Sequence, residues 1–367
     1  MKYFRCGENK VKLPVFFPDA TRGFIKTLDT EDVKATKTPG VLVNTFHLYK
    51  DTGKRVLKKF DGIRNFMNWD EAVISDSGGF QVMSLIKNKI LKGEIIDKGV
   101  VYKSGRGKMK IFTPEDSIRF QMLLKPDMVV VLDDFTPPKA SKNIAKKTID
   151  RTIDWARRSK EEYSRICDKA GLNKKNRPYI LGVVQGGDYL DLRKECADRL
   201  LEIGFDGFGY GGWPLKEDGT FNYEVAECIS EKTPKDYFLY GLGIGKPEEI
   251  VNLVKMGYGI FDCVLPTRDA RHGRLYVFNA DSIDQIDPKK ADIYSFYTPN
   301  KQKYYSDNGV VSMACDCLLC KNYSRAYLAH LFREKETTAM RLSTIHNLRF
   351  YSILMEKLKG QKWNLPK

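Results

Sequence analysis

The 367-residue chain is predicted to fold as an α/β protein, a (β/α)8 TIM barrel. Three observations predict this fold. Eight short apolar or β-branched runs recur over the first 265 residues, most gaps between them are long enough for a helix, and each run ends in polar or glycine-rich residues. Strand–helix alternation repeated eight times is typical of a parallel barrel, although a doubly wound sheet produces a similar alternation.

The predicted strands are these eight runs, in chain order. They are Val15–Phe17, Val41–Asn44, Ala72–Ser75, Met128–Leu132, Ile180–Val184, Gly207–Tyr210, Tyr237–Tyr240 and Gly259–Phe261. Among the connections, Thr113 and Pro114 predict a helix start, with Thr as N-cap and Pro at the first helical position. Leu192–Ile203 and Pro247–Met256 have the apolar spacing of amphipathic helices.

Residues that could bind a ligand or take part in catalysis follow five of the predicted strands. The segments are Asp76-Ser77-Gly78-Gly79-Phe80-Gln81, Asp133-Asp134-Phe135-Thr136-Pro137-Pro138, Gln185-Gly186-Gly187, Gly211-Gly212-Trp213-Pro214 and Asp262-Cys263. A turn or a helix cap explains any one of these segments. The carboxyl ends of barrel strands meet at one mouth, which carries the active site, so the five segments together predict a site there.

The charge of the chain indicates a polyanionic partner. The formal net charge is +15 and the pI is about 9.2, which favours nucleic acid over an anionic membrane surface. A hydrophobic fraction of 42% is too high for a disordered protein. No run of 18 apolar residues and no signal-peptide pattern is found, so we expect a cytoplasmic protein with no membrane association.

Three of the eight cysteines crowd into one short segment, at Cys315, Cys317 and Cys320. In a reducing compartment such spacing predicts metal ligation rather than disulfides. His346 is the expected fourth ligand, and His330 is the alternative. Three thiolates and one imidazole form a closed structural Zn²⁺ site, one per chain, with no open position for catalysis.

The pattern of the chain changes after about residue 275. We expect a barrel core at 1–275, a zinc-binding subdomain at 276–350 and a C-terminal helix or tail at 351–367 that packs back on the barrel. Residues 276–310 are polar and irregular, and a long helical stretch is predicted from about Tyr323 to the C-terminus.

Several motifs together resemble the tRNA-guanine transglycosylases, the base-exchanging tRNA-ribosyltransferases of queuosine biosynthesis. They are Asn44-Thr45-Phe46-His47-Leu48, Ser75 to Val82, Val184-Gln185-Gly186-Gly187, Gly204-Phe205-Asp206-Gly207-Phe208, Phe261 to Arg268, Cys315-Asp316-Cys317 and His346-Asn347-Leu348-Arg349. The resemblance implies a (β/α)8 barrel with a zinc subdomain and a homodimer that binds tRNA. We expect the bacterial type, since no archaeal RNA-binding module follows the match.

The resemblance also implies a reaction, the exchange of guanine at the anticodon wobble position of tRNA for a 7-deazaguanine base. Such a pentosyltransferase forms a covalent bond between an aspartate and the ribose. By motif match, Asp262 is the expected nucleophile, while Asp76 protonates the leaving guanine and deprotonates the incoming base. The division of work parallels that in retaining glycosidases, which also use two carboxyl groups.

Further residues are assigned to the base and to the tRNA by the same match. Asp133 is expected to bind N1–H and the 2-amino group of the base, helped by Gln185, Ser77 and the main-chain N–H of Gly212. Phe80 and Leu242 are expected to sandwich the ring. Arg268 and Arg271 are expected to contact tRNA beside the target nucleotide, where base contacts specify and phosphate contacts position.

Two departures from the bacterial pattern lie in the base pocket. Asp134-Phe135 stand where bacterial relatives carry Glu-Cys, and Trp213-Pro214-Leu215-Lys216 stand where they carry Leu-Ala-Val-Gly. Bulky side chains there should change which 7-substituent fits, and small cyano or aminomethyl groups are easier to hold than a cyclopentenyl group. Two alternatives remain, a relative that modifies DNA and a non-catalytic tRNA-binding partner subunit. Intact Asp76 and Asp262 argue against the second.

Two segments carry most of the positive charge. Ile86–Ile111 contains eight basic and two acidic residues, and Lys321–Lys367 contains ten basic and three acidic residues. We predict that the two segments form a tract for tRNA phosphates, with an affinity that falls steeply as salt rises.

Overall fold

A computed structural model of the chain describes residues 3–87, 92–103 and 108–361. Its strands are β1 (Tyr3–Cys6), β2 (Asn9–Lys12), β3 (Val15–Pro18), β4 (Gly40–Asn44), β5 (Ala72–Asp76), β6 (Lys92–Ile96), β7 (Gly99–Lys103), β8 (Met109–Phe112), β9 (Met128–Val130), β10 (Tyr179–Val184), β11 (Gly207–Tyr210), β12 (Phe238–Gly241), β13 (Ile260–Cys263), β14 (Leu275–Phe278) and β15 (Tyr294–Tyr297).

Helices fill most of the connections. They are α1 (Thr30–Ala35), α2 (Thr45–His47), α3 (Gly53–Lys59), α4 (Ile63–Met67), α5 (Gly79–Lys87), α6 (Pro114–Leu124), α7 (Lys142–Lys169), α8 (Leu190–Ile203), α9 (Tyr223–Lys232), α10 (Pro247–Lys255), α11 (Leu265–Arg271), α12 (Leu318–Asn322), α13 (Arg325–Arg333) and α14 (Thr337–Lys359), with a π-helical turn at Leu48–Thr52 and a 3-10 turn at Gln302–Tyr304. Within the described ranges, no helix is long and apolar enough to cross a membrane.

Eight parallel strands form the central sheet in the order β3-β13-β12-β11-β10-β9-β5-β4. An isolated parallel bridge between Asp19 and Leu42 brings the two ends of this order together, so the sheet is a nearly closed barrel. The predicted (β/α)8 fold is therefore confirmed, and every predicted strand lies within two residues of an observed one.

The strands read as continuous apolar runs because both of their faces are buried. One face of each strand points into the barrel and the other packs on the helices. In β3, Val15 and Phe17 belong to the interior cluster, while Phe16 packs with the outer helices. The hairpin β1–β2 supplies Phe4 to the same interior cluster. This alternation decides which residues reach the mouth of the barrel.

The predicted helices are present. Helix α6 begins with a full capping box, in which Thr113 and Asp116 each bond the other's main-chain N–H, and Pro114 occupies the first turn. Helices α8 and α10 match the two predicted amphipathic segments to within two residues. The start of α6 could be predicted from sequence because helix capping depends on local geometry alone.

Two predictions for the C-terminal region are wrong. Residues 276–310 are not wholly irregular, since β14 and β15 pair as an antiparallel ribbon. The helical stretch after Tyr323 is two helices, because the chain turns between α13 and α14 at Lys335, whose φ is +56°. Helix α14 runs unbroken through residue 350, so the predicted domain border there falls inside one helix. The domain division otherwise stays a prediction, and residues 362–367 lie outside the described chain.

Sequence reasoning also missed the three-stranded antiparallel sheet β6-β7-β8, inserted between α5 and α6. The sheet lies within the segment 86–111, which was predicted to carry positive charge. That segment is only partly included in the described residues. Trp155 of α7 packs fully buried with Val100 and Phe112 of this sheet, so the insertion is attached to the barrel.

Helix α14 joins the C-terminal region to the barrel. It packs on α11, α12, β3 and β14. The Asn347 side chain donates to the carbonyl oxygens of Pro266 at 2.9 Å and Arg274 at 3.0 Å, and accepts from the N–H of Tyr276 at 3.1 Å. One buried amide thereby fixes the chain that follows Asp262.

Candidate active site

The mouth of the barrel is lined by residues that continue the inward-facing rows of the strands. Residues two apart on a strand share a face, so the residue two positions beyond an interior side chain also points inward, provided the strand geometry continues. Six residues of the interior cluster are each followed, two positions later, by a residue of the mouth. Phe17 is followed by Asp19, Leu42 by Asn44, Ile74 by Asp76, Val183 by Gln185, Tyr240 by Leu242 and Ile260 by Asp262. Apart from Leu242, the top layer of the interior is therefore polar, above an apolar core.

Asp76 is the most heavily bonded carboxylate of this layer. Its Oδ2 accepts from Asn44 Nδ2 at 2.8 Å, and its Oδ1 accepts from the N–H groups of Thr45 at 3.2 Å and Gly78 at 3.0 Å. Gly78 has a φ of +77°, and a Cβ there would lie 2.6 Å from that of Phe46, so only glycine fits. The Ser-Gly-Gly turn thus holds the carboxylate in one orientation.

Asp262 ends β13 and is 8% exposed. Its Oδ1 accepts from the Gly243 N–H at 2.9 Å. The hydroxyl of Tyr240 lies close enough to lower the pKa of Asp262, yet it makes no hydrogen bond of standard geometry with any described residue. Asp262 is consequently held at one oxygen, with a second potential donor beside it.

Burial raises the proton affinity of these carboxyl groups. The pKa of Asp76 rises to about 8, through burial first and then the charge of Asp19, against the hydrogen bonds from Asn44 and Thr45. The pKa of Asp262 rises to about 7, through burial and again the charge of Asp19. Carboxyl groups with pKa values near neutrality can donate and accept protons under physiological conditions.

Asp133 lies beside the layer and is paired with Gln185. The Gln185 Nε2 donates to Asp133 Oδ2 at 2.6 Å, while its Oε1 accepts from the Thr136 N–H at 3.1 Å. Burial raises the pKa of Asp133 to about 6, against the effect of this hydrogen bond. Gln185 is fully buried, so the amide fixes Asp133 in position. Gly212 adjoins it, and its φ of +85° is a conformation that glycine adopts readily.

Arg193 was missed by sequence reasoning. This α8 side chain is 1% exposed and donates to the carbonyl oxygens of Gly187 and Gly211, both at 2.8 Å, and to that of Val184. The guanidinium thereby ties together the glycine loops after β10 and β11. An arginine on an amphipathic helix carries no sequence signal for this role, because its carbonyl partners are set only by the fold.

Ser77 is buried, and its hydroxyl accepts from the Gly79 N–H at 3.2 Å. The side chain therefore caps the start of α5, in addition to its predicted place in the base site. Phe80, in the first turn of α5, is 47% exposed, and its ring centre lies 5.0 Å from that of Phe135 in an edge-to-face contact. Leu242 is half-buried above the interior cluster. Whether Phe80 and Leu242 enclose a base stays a prediction.

The segments that follow β9 and β11 line a cavity of about 240 Å³, which includes Trp213, Leu215 and Lys216 of the second departure but neither Asp134 nor Phe135 of the first. Its walls are Thr136, Pro137, Pro138, Lys139, Ala140, Gly187, Asp188, Trp213, Leu215, Lys216 and Glu217. Thr136 and Gly187 also belong to the Asp133–Gln185 region, so the cavity adjoins the expected base site. Trp213 is 47% exposed on this wall.

Arg268 and Arg271 lie on α11, directly after Asp262. Arg268 is exposed, with Asp269 at 3.7 Å. Arg271 is half-buried, and its pKa is lowered by burial and by the charge of Arg268, against the charge of Asp19. The two cations thus lie near one another, with Arg271 near the mouth.

The predicted metal ligands converge. The four ligand atoms of Cys315, Cys317, Cys320 and His346 all lie within 4.8 Å of one another. His346 Nδ1 is 3.5 Å from the Cys317 sulfur and 3.3 Å from the Cys320 sulfur. Tetrahedral zinc with ordinary bond lengths places nitrogen and sulfur ligands about 3.5 Å apart. His330 is exposed on α13 and is not part of the group.

The second nitrogen of the imidazole sets its protonation. His346 Nε2 lies 2.8 Å from the Tyr276 carbonyl oxygen, an acceptor that requires the proton on Nε2. Nδ1 is then free to bind a metal, an arrangement usual for histidine ligands. The buried Cys3His group can therefore hold a metal ion, and its sulfur-rich chemistry suits zinc.

The two basic segments differ in how far their charges are already paired. Arg325, Arg341 and Arg349 of the C-terminal segment form ion pairs with Asp307, Asp32 and Asp316. By contrast, Lys110 of the inserted sheet is exposed and lines a cavity of about 290 Å³ with Lys50, Lys54, Tyr49 and Tyr102. The lysine-lined cavity is the stronger candidate for phosphate contacts.

Asp19 is the carboxylate that the sequence reading overlooked. It follows the first predicted strand, just as Asp76 follows the third, so the same strand-end rule would have found it. Its oxygen accepts from the Thr21 hydroxyl, and burial raises its pKa. Asp19 therefore shares the mouth with the three predicted carboxyl groups, those of Asp76, Asp133 and Asp262.

The chain is similar to known proteins over almost its whole length. The family model described as queuine tRNA-ribosyltransferase matches residues 3–361. Proteins named queuine tRNA-ribosyltransferase from Shewanella sp. (strain W3-18-1) and Shewanella baltica (strain OS155) are each 39% identical over 351 residues, covering 95% of this chain and 87% of the relative. The protein of that name from Shewanella frigidimarina is 38% identical over the same coverage.

Proposed function

The chain belongs to the queuine tRNA-ribosyltransferase family, and we propose that it exchanges guanine at the anticodon wobble position of tRNA for a 7-deazaguanine base. The observation that carries this proposal is the pairing of two buried carboxyl groups, Asp76 and Asp262, at a mouth that also holds the Asp133–Gln185 pair. Glycosyl transfer with retention uses two such carboxyl groups. The third carboxyl group, that of Asp133, can accept hydrogen bonds from the edge of a guanine base.

In the first half of the reaction, Asp262 attacks C1′ of the target ribose and the bond from C1′ to the guanine nitrogen breaks. Asp76, whose pKa is about 8, is protonated at neutral pH and gives its proton to the departing base. The product is an ester between Asp262 and C1′. An aspartyl ester is stable enough to persist while the bases exchange and reactive enough to be displaced.

The second half reverses these steps with the new base. Asp76, now ionised, removes the proton from the ring nitrogen of the 7-deazaguanine, and that nitrogen attacks C1′ while Asp262 leaves as a carboxylate. The N–H of Gly243, 2.9 Å from Asp262 Oδ1, stabilises the ionised nucleophile before attack and after departure. Atoms and charge balance over the cycle, because one proton leaves with guanine and one arrives with the new base.

Asp133 supplies the recognition of the base. Its carboxylate accepts two hydrogen bonds, which matches the N1–H and 2-amino donors of guanine and of 7-deazaguanine. Gln185 holds it in place at 2.6 Å. The 240 Å³ cavity beside Trp213 receives the 7-substituent, which distinguishes the incoming base from guanine. Arg268 and Arg271 contact the neighbouring nucleotides.

The Cys3His group binds one zinc ion in a structural role. All four ligands are supplied by the protein, so the ion has no position left for substrate. Cys315, Cys317, Cys320 and His346 would hold the ion, which would join the segment 315–320 to α14, the helix whose Asn347 fixes the chain after Asp262. A bound ion would therefore affect the reaction only through the position of α11.

Base exchange with radiolabelled guanine tests the proposal. The wild-type protein should incorporate label into tRNA with a guanosine at the wobble position, and not into the same tRNA with adenosine there. Incorporation into duplex DNA instead would identify a DNA-modifying enzyme. Binding of tRNA without any incorporation would identify a non-catalytic partner subunit.

A further inference from the structure

Asp19 occupies the barrel rim between the two carboxyl groups that act on the sugar. Strand β3 pairs with β13 so that Phe17 lies opposite Asp262, and Asp19 continues the same inward-facing row. On the other side, Asp19 bridges Leu42 of β4, whose Asn44 binds Asp76. Four adjacent strands thus bring Asp262, Asp19, Asn44 and Asp76 to the rim in that order.

A second observation shows that this part of the mouth is built to receive a polar ligand. The Tyr240 hydroxyl is fully buried in the top of the barrel and lies close to Asp262, but it makes no hydrogen bond of standard geometry with any described residue. Burial, the close contact with Asp262 and the charges of Asp76 and Asp19 all raise the pKa of Tyr240, so the hydroxyl lies near the three carboxyl groups. Buried polar groups are generally hydrogen-bonded, so a buried hydroxyl without a standard partner marks a place where a polar ligand can bind.

The ligand at this place is a sugar, because the proposed reaction breaks the bond at C1′ between Asp262 and Asp76. Within a nucleic acid chain, the 3′ and 5′ oxygens carry phosphates and cannot donate a hydrogen bond. The 2′-hydroxyl, on the carbon next to C1′, is then the one donor that the sugar offers, and DNA lacks it. An ionised carboxylate only accepts hydrogen bonds, which makes it the matching partner.

We propose that Asp19 accepts a hydrogen bond from the 2′-hydroxyl of the target nucleotide and thereby makes the enzyme select RNA over DNA. The inference rests on the proposed base exchange and deepens it. With a ribonucleotide bound, the half-buried Asp19 carboxylate gains a donor. With a deoxynucleotide bound, the nucleotide excludes water from the Asp19 carboxylate and has no 2′-hydroxyl to donate a hydrogen bond in its place. The carboxylate then loses a donor on binding, which is unfavourable.

The test compares two anticodon stem–loop RNAs that differ only by a 2′-deoxy substitution at the target guanosine. Labelled guanine exchange is measured as kcat/KM for wild type, Asp19→Ala, Asp19→Asn and the control Asp236→Ala, an exposed carboxylate before β12 at the opposite end of the barrel. Wild type and the control should prefer the ribonucleotide by about 10- to 100-fold, the worth of one charged hydrogen bond. Asp19→Ala should reduce that preference to less than about 3-fold.

The same experiment contains the results that would overturn the inference. A wild-type enzyme that treats both loops alike contradicts it, and so does an Asp19→Ala enzyme that loses activity equally on both, since that pattern marks a purely structural role. Asp19→Asn retains an acceptor oxygen and should keep part of the preference. If wild type exchanges guanine into neither loop, the proposed function itself fails, and the ratio of binding affinities for the two loops then tests Asp19 alone.

Discussion

The barrel mouth and the cysteine cluster both bury several acidic groups together, but they are organised in opposite ways. The Cys3His group comes from a six-residue segment and one helix, and its ligand atoms converge within 4.8 Å. The carboxyl groups of the mouth come from strands far apart in the sequence. Asp76 and Asp262 are each raised in pKa by burial and by the charge of Asp19.

The difference separates a stabilising site from a reactive one. One cation can bind all four donors of the metal group at once, so its assembly contributes to folding. The mouth gathers carboxyl groups that repel one another when ionised, which opposes folding and keeps their protons exchangeable near neutral pH. The following predictions test whether the two regions divide stability and chemistry in this way.

The largest expected effect is the loss of base exchange in Asp262→Asn. An amide cannot form the glycosyl ester, so labelled-guanine exchange into tRNA should fall by about 10⁴-fold or more. The free energy of unfolding should stay the same or rise, because a buried carboxyl group is replaced by a neutral group of the same shape. Urea unfolding followed by circular dichroism measures this second quantity.

Asp236→Asn is the matched control, since Asp236 is exposed at the other end of the barrel. It should leave both exchange and stability unchanged. Exchange at more than a tenth of the wild-type rate in Asp262→Asn would contradict the nucleophile assignment. A marked loss of stability in the same variant would show that the mouth is a structural site as well.

The second prediction concerns the metal group. Cys317→Ala removes one ligand and should lower the free energy of unfolding by about 3 kcal/mol or more, with loss of bound zinc. Cys228→Ala is the control, because Cys228 is equally buried but lies outside the group, and it should cost about 1 kcal/mol. Equal effects of the two substitutions, or full zinc content in Cys317→Ala, would refute a structural zinc site.

The third prediction uses pH to distinguish the carboxyl groups. Exchange requires Asp262 ionised and Asp76 protonated, so kcat/KM should rise as pH passes about 7 and fall above about 8. The two groups are close, and the measured values belong to the pair. A rate that stays constant from pH 6 to pH 9 would contradict these roles.

Stability should change with pH in the opposite sense to that of an ion-paired aspartate. The pKa of Asp76 is higher in the folded than in the unfolded chain, so the folded state binds more protons and loses stability as pH rises from about 4 through 8. Asp76→Asn removes this loss. Its advantage in the free energy of unfolding over wild type should therefore be greater at pH 9 than at pH 5.

The same contrast explains what the sequence could reveal. Short buried strands and the Cys-x-Cys-x2-Cys spacing are local signals. The predicted strands are confirmed, and the three cysteines converge with His346 into a group that could hold a metal ion. Motif matches pointed to Asp76 and Asp262, which end inward-facing rows of their strands. Asp19 obeys the same rule, yet no motif pointed to it. Arg193 could not be found, because its partners are carbonyl oxygens of two loops that only the barrel brings together. The strands β6 to β8 were missed because they lie in a segment of eight basic residues, 86–111, that was interpreted only as a charged tract.

The smallest expected effect concerns the positive charge around the two regions. Lys110 lies exposed in a cavity with Lys50 and Lys54, whereas the arginines near the metal group are engaged in ion pairs. Lys110→Glu should therefore weaken tRNA binding several-fold and reduce the slope of log K against log salt by about 0.7 to 0.9 for each phosphate that the variant no longer neutralises.

Two exposed lysines serve as comparisons for Lys110. Lys321 on α12 lies beside the metal ligands, and Lys235 lies before β12 at the far end of the barrel. Lys235→Glu sets the baseline for a charge reversal remote from the mouth. If Lys321→Glu stays at that baseline, the mouth binds the polyanion without the metal region. If it matches Lys110→Glu, both regions contact the tRNA backbone, and the metal group then positions a binding surface as well as α11.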